Sequence, residues 1–129
     1  TKITWAKSAK TIYHGGDKVI KGLPDQKGSS QVITVGDYRM AVVHESYFWK
    51  NEKNDRDAVY NHRFVLWDKD WNIHKISPPW KFMNGKIEFC GGMARDGDDI
   101  LITFGYQDNI AFLLRLPLTT VEEVIGGDQ

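Results

Sequence analysis

The sequence predicts an all-β fold of antiparallel strands joined by tight turns. Three observations predict it. Apolar and polar residues alternate over short runs, pairs of Gly, Asp, Asn and Pro punctuate those runs at regular intervals, and no stretch sustains the spacing of an amphipathic helix. The composition agrees. Five Trp, five Tyr and six Phe in 129 residues suit thin β layers, where each ring supplies a large buried area.

The strands follow in order. Gln31–Val35 runs into Gly36-Asp37, and Tyr38–His44 carries apolar Met40, Ala41, Val42 and Val43, so the two read as a hairpin. Asn61–Trp67 and Trp71–Ile76 flank the turn Asp68-Lys69-Asp70. Ser77-Pro78-Pro79 ends that pair, because proline has no N–H to give a ladder. Ile87–Ala94 and Ile100–Phe104 flank Arg95-Asp96-Gly97-Asp98, and Ala111–Leu116 stops at Pro117. Thr119–Ile125 is read as a last strand on its β-branched content, although Val121, Val124 and Ile125 also suit one helical turn. Before all of these, Ile3-Thr4-Trp5 and Lys10–Tyr13 read as strands and Lys21–Gly28 as a linker.

A repeat organises the strands. Gly36–Val43 lies over Gly97–Phe104, an offset of 61 residues, and Asn61–Leu66 lies over Asn109–Leu114, an offset of 48. The drop of 13 places extra residues in the first copy, between Glu45 and Tyr60. Each copy reads strand, turn, strand, connection, strand, turn, strand, and four antiparallel strands per repeat is the unit of a β-propeller. The expected organisation is a partial blade and linker at 1–27, a full blade at 28–86 with an inserted loop at 46–59, and a second full blade at 87–129. About two and a half blades would leave sheet edges open to water. The chain is therefore expected either to associate with itself, a dimer closing a five-bladed ring, or to be cut from a longer one.

Bulk properties exclude several functions. Seventeen basic and 17 acidic residues give a net charge of zero, so neither a nucleic acid nor an anionic membrane is the expected partner. No apolar run reaches the length of a membrane span. The single Cys90 favours a reducing compartment, and a start without signal-peptide character leaves two expectations: the protein is cytoplasmic, or a leader lies outside this sequence. His44-Glu45 begins like a zinc motif, but the fourth residue after His44 is Phe48, so no metal site is expected. No phosphate-cradling glycine loop or nucleophile elbow is present, and no cofactor is implied. Cys90 reads as a small buried hydrophobe rather than a nucleophile.

A series of short motifs then suggests a family. Gly28-Ser29-Ser30-Gln31, Val43-His44-Glu45, Tyr60-Asn61-His62-Arg63-Phe64, Ile76-Ser77-Pro78-Pro79, Ile87–Ala94 and Phe104–Ala111 occur in that order. The set resembles the C-terminal part of a β-propeller family often joined to glycosyltransferase modules, over residues 28 to 116. That family is distantly similar to the five-bladed propellers of mannoside phosphorylases and of arabinan- or fructan-cleaving glycosidases. The resemblance implies a module that binds a glycan or sugar phosphate at the propeller channel, and that would cleave as a hydrolase or phosphorylase if it were an enzyme. The alternative is a structural module in which the same polar residues knit blades together.

Glycoside cleavage needs a carboxylic acid and a second carboxylate or phosphate. The candidates at strand ends are Glu45, Glu88 and Asp108. Glu88 stands between Ile87 and Phe89, where a partly dry channel would favour the protonated form an acid catalyst uses. Its structural alternative is an ion pair with Arg63. Candidate ligand-binding residues are Gln31, His44, His62, Arg63, Tyr47 and Trp49. His62 and Arg63 replace the apolar Ile110 and Ala111 of the second copy, and Arg63 suits a bidentate anion clamp. As neighbours in a strand, they point to opposite faces. Tyr47-Phe48-Trp49 and the charged run after it suit a binding loop, since ring faces stack on sugar C–H groups.

Overall fold

The two Gly-Asp pairs turn where the sequence places them. The computed structural model describes residues 23–126. In it β1 (Lys27–Gly28) and β2 (Ile33–Val35) precede β3 (Tyr38–Lys50), and Gly36-Asp37 joins β2 to β3. β4 (Arg56–Trp67) and β5 (Ile73–Ile76) follow, then β6 (Glu88–Asp96) and β7 (Asp99–Tyr106), joined by Gly97-Asp98. β8 (Ile110–Pro117) and α1 (Leu118–Gly126) complete the order. Gly36 and Gly97 have φ of 59° and 60°. A positive φ at the first turn position alone marks the two-residue turn whose twist matches paired strands, and glycine fills it without strain.

The first sheet has the order β1-β3-β4-β5, with β2 also on β3. Strands β2 to β5 form the antiparallel four-stranded meander expected of the first copy. The second sheet has only three strands, β6-β7-β8. The segment expected as its fourth strand is the helix α1. Its Val121 and Ile125 lie one helical turn apart and are both buried in the core, so the helical spacing outweighs β-branched propensity here. The predicted strands Ile3-Thr4-Trp5 and Lys10–Tyr13 lie outside the described residues. The linker is shorter than expected, because Lys27 and Gly28 pair with His44 and Val43.

The inserted loop at 46–59 is also corrected. Those residues lengthen the β3–β4 hairpin: Tyr47 pairs with Val59, Phe48 with Ala58, Trp49 with Asp57 and Lys50 with Arg56. Only Asn51–Asp55 turns. The Asn51 side-chain oxygen accepts from Lys53 N and Asp55 N, both at 3.0 Å, and Asn54 takes a φ of 62°. The charged run looked like a loop because its central part is the hairpin tip, while the aromatic triplet before it belongs to the strand.

The two sheets share one core. Met40, Val42 and Phe64 come from the first sheet, and Cys90, Met93, Ile100 and Ile102 from the second. Under the repeat offset of 61, Met40 and Val42 fall on Leu101 and Thr103, whereas Arg39 and Ala41 fall on Ile100 and Ile102. Alternate residues of a strand point to opposite sides. The sheets therefore meet through non-equivalent faces of equivalent strands. Two bonds tie their edges: Met93 N donates to Gln31 Oε1 at 3.1 Å, and Arg95 Nη1 to Thr34 O at 3.2 Å.

Candidate functional site

Register sorts the candidate residues onto two sides of the first sheet. His44 and His62 are directly paired across β3 and β4, on the side that holds Met40, Val42 and Phe64. Glu45, Arg63 and Tyr47 lie on the other side, so the expectation that His62 and Arg63 diverge holds.

The inner side is a buried histidine pair. His62 is fully buried, with its ring centroid 5.3 Å from that of Trp80 and 4.8 Å from that of Phe82. Among the described residues neither ring nitrogen has a hydrogen-bond partner, and nor does Trp80 Nε1. Burial pushes the His62 imidazole down to about 4. Glu88 pulls the other way, and His44 and Lys81 add to the lowering. His44 Nδ1 lies 2.6 Å from Ser29 Oγ, and its ring packs against Tyr60 and Phe89. Burial first and Lys27 second lower its pKa as well. Both imidazoles are neutral near pH 7.

The strap between β5 and β6 roofs this pair. Trp80 and His62 exchange two backbone hydrogen bonds, at 2.8 and 2.9 Å, and Tyr60 N donates to Lys86 O at 2.8 Å. Lys81 Nζ donates to the carbonyls of Tyr60 and Gly85. Glu88 anchors the strap from below: Oε1 accepts from Phe82 N at 2.7 Å, and Oε2 from Met83 N and Gly85 N, both at 2.8 Å. Gly85 leaves room for this arrangement: a Cβ on it would stand 2.5 Å from Tyr106 Cε2 and 3.2 Å from Glu88 Oε2, so those side chains would have to shift. A fully buried carboxylate that accepts three amides is a clamp, and it faces no open channel. The expected Glu88–Arg63 bridge does not form either.

Arg63 pairs instead with Glu45, with Nε donating to Oε1 at 3.0 Å, and Nη1 donates to Ser77 O. Tyr47 Oη donates to Glu45 Oε2 at 2.8 Å, and this bond is the main cause that raises the tyrosine pKa. Glu45 is thus buried with both oxygens engaged. Beyond this cluster the outer side of the hairpin opens. Tyr47 and Trp49, two residues apart on one side of β3, keep 43% and 40% of their surface in solvent. Lys86 Nζ lies 5.8 Å from the Trp49 ring and 3.1 Å from Asp57. Asn61 borders a groove of about 640 Å³ whose other walls include Pro79, Trp80, Lys81 and Asn84.

Two candidates stand apart. Asp108 sits in the exposed β7–β8 turn at a φ of 54°, on the second sheet. Gln31 holds the two sheets together. Cys90 is fully buried, and burial pushes its thiol up to about 11, as suits an inert core residue. Among the described residues, no group of three His, Cys, Asp or Glu side chains is placed to hold a metal, and no helix is long and apolar enough to cross a membrane. Trp80, Lys81 and Gly85 were not singled out from sequence, and Ser29 entered only as part of the Gly28–Gln31 motif. Beyond Ser77-Pro78-Pro79 the strap has neither period nor motif, and the one further signal within it is the Gly85 that follows Asn84. Comparison with protein-family models, curated proteins and solved structures returned no match.

Proposed function

We propose that this chain is a carbohydrate-binding module of propeller type that holds a glycan or sugar phosphate without cleaving it. The observation that carries the reading is the ledge of Tyr47 and Trp49. Two exposed rings on one side of β3 are about 7 Å apart along the strand. They offer flat apolar faces to sugar C–H groups, and Asn61 and Lys86 beside them supply hydrogen bonds and a cation. Cleavage is not supported, because Glu45 and Glu88 are each committed to internal partners and Asp108 lies on the other sheet. The test is a glycan array followed by titration of the hits and of simple sugar phosphates. Trp49→Ala is expected to weaken binding at least tenfold with the thermal midpoint unchanged, and no substrate turnover is expected. An array without hits, or hits indifferent to Trp49→Ala, would overturn the reading.

A second reading is a structural blade pair, favoured by the non-equivalent faces through which the sheets meet. Successive propeller blades are related in that way, each turning one face to the blade before and the other to the blade after. On this reading Arg63→Met lowers stability by about 3 kcal/mol, because it leaves Glu45 buried without its cation. Glycan binding would then be absent in both forms, as calorimetry can show.

A further inference from the structure

One sheet edge lacks the protection the others have. An unpaired strand edge is a template for another chain, and proteins blunt such edges by shortness, charge, bulges or cover. β1 and β2 have two and three residues. β5 has four, including His74 and Lys75. β6 carries a bulge between Cys90 and Gly92, and its Met93 N is taken by Gln31. β8 is guarded least: its one charge, Arg115, is matched by Asp96 and Asp99 of its own chain, and Pro117 only closes its end. It runs for eight residues, Ile110-Ala111-Phe112-Leu113-Leu114-Arg115-Leu116-Pro117, and pairs only with β7 among the described residues. Ile110 and Leu113 are 50% and 66% exposed. In the first copy the corresponding edge of β4 is filled by β5 and the strap. In the second copy the chain turns into α1, and among the described residues that place is open.

We propose that β8 is a dimerisation edge, and that its occupant is β8 of a second copy of this chain. A two-fold axis normal to the sheet through Leu113 sets Leu113 opposite its counterpart. It sets Phe112 opposite Leu114, Ala111 opposite Arg115 and Ile110 opposite Leu116. All these pairs keep their side of the sheet, so apolar residues meet apolar residues at every pair except Ala111 with Arg115. Arg115, the one charged residue of the strand, falls opposite an alanine. It is already matched by Asp96 and Asp99 of its own chain, at 3.1 and 2.8 Å. The strand is therefore self-complementary, as an isologous contact requires. Joining the edges makes one continuous six-stranded sheet. This inference rests on the edge alone and is independent of the glycan reading.

The test combines mass and cross-linking. The natural chain is expected to sediment as a dimer at micromolar concentration. Leu113→Cys, under mild oxidation, is expected to form a disulfide-linked dimer, while Glu52→Cys at the hairpin tip does not. Leu113 is exposed, so its replacement leaves the fold intact, and Cys90 is buried and does not compete. Leu113→Lys opposes two cations and is expected to raise the dimer dissociation constant at least tenfold. A monomeric natural chain overturns the proposal. A dimer that Leu113→Cys does not link, or that Leu113→Lys does not weaken, shows another contact surface and overturns it too.

Discussion

Glu88→Gln is expected to lower the stability of the folded chain by about 3 kcal/mol, read as an earlier midpoint in urea. The carboxylate has two acceptor oxygens and three amide donors, divided between Phe82 on one side and Met83 and Gly85 on the other. Glutamine keeps the size and loses one acceptor. Its –NH₂ must then face either Phe82 N–H or the Met83 and Gly85 pair, donor against donor, at a side chain that is itself fully buried. The amides cannot turn to water, because the strap is held to β4 at Trp80 and Lys86. Glu88→Leu removes all three acceptors and costs more. A general acid behaves otherwise: an isosteric amide in its place stops chemistry and leaves the fold untouched. An unchanged urea midpoint for Glu88→Gln would therefore refute the clamp.

Acidification is expected to remove about 3 kcal/mol of stability through His62 alone. The unfolded imidazole takes its proton near 6.5 and the folded one near 4, with about 1.4 kcal/mol for each pH unit between them. Because the folded value is the lower, the unfolded chain binds the proton first. The contribution is complete above pH 6.5, declines as the pH falls to about 4, and changes no further below that. His44 is shifted in the same direction, while Glu88 facing His62 softens the effect. His62→Leu is expected to flatten this part of the profile. It is also expected to match or exceed the natural stability at pH 7, since it replaces a buried ring with two unpartnered nitrogens by an apolar side chain of similar size. Urea unfolding at several pH values between 7 and 4, for both proteins, checks it. A slope unchanged in His62→Leu would assign the acid sensitivity elsewhere.

The strands were legible where turn chemistry was. Gly36-Asp37, Gly97-Asp98 and the prolines after Ile76 and Leu116 placed the boundaries to within a few residues, because these residues act locally through φ or a missing N–H. Elements decided by burial were misread. Leu118–Gly126 is helical because two of its residues reach a core formed by chain far away in sequence, and a short β-branched run carries no trace of that. The arms at 46–59 were hidden by their charged tip. The polar residues were recognised as unusual, and rightly so, yet their partners were not predictable. Glu45, Arg63 and Glu88 each had several possible counterparts, and the register chose among them. The strap was invisible, since backbone amides turned toward one carboxylate leave no mark on the residues that carry them.

The pairing pattern has a consequence for how the chain folds. With β1 apart, each strand pairs with its neighbour along the chain, so both sheets can zip from their own turns across short loops, on the scale of about 1–10 μs for a hairpin. The bonds from Gln31 to Met93 and from Arg95 to Thr34 span 62 and 61 residues, and they form only when the finished sheets meet. Assembly thus separates into quick local zipping and a slower docking at the seam, where most of the loop-closure entropy is spent. Until the seam closes, Met40, Ile100 and Ile102 remain in water, and the half-assembled chain is at its most vulnerable to aggregation.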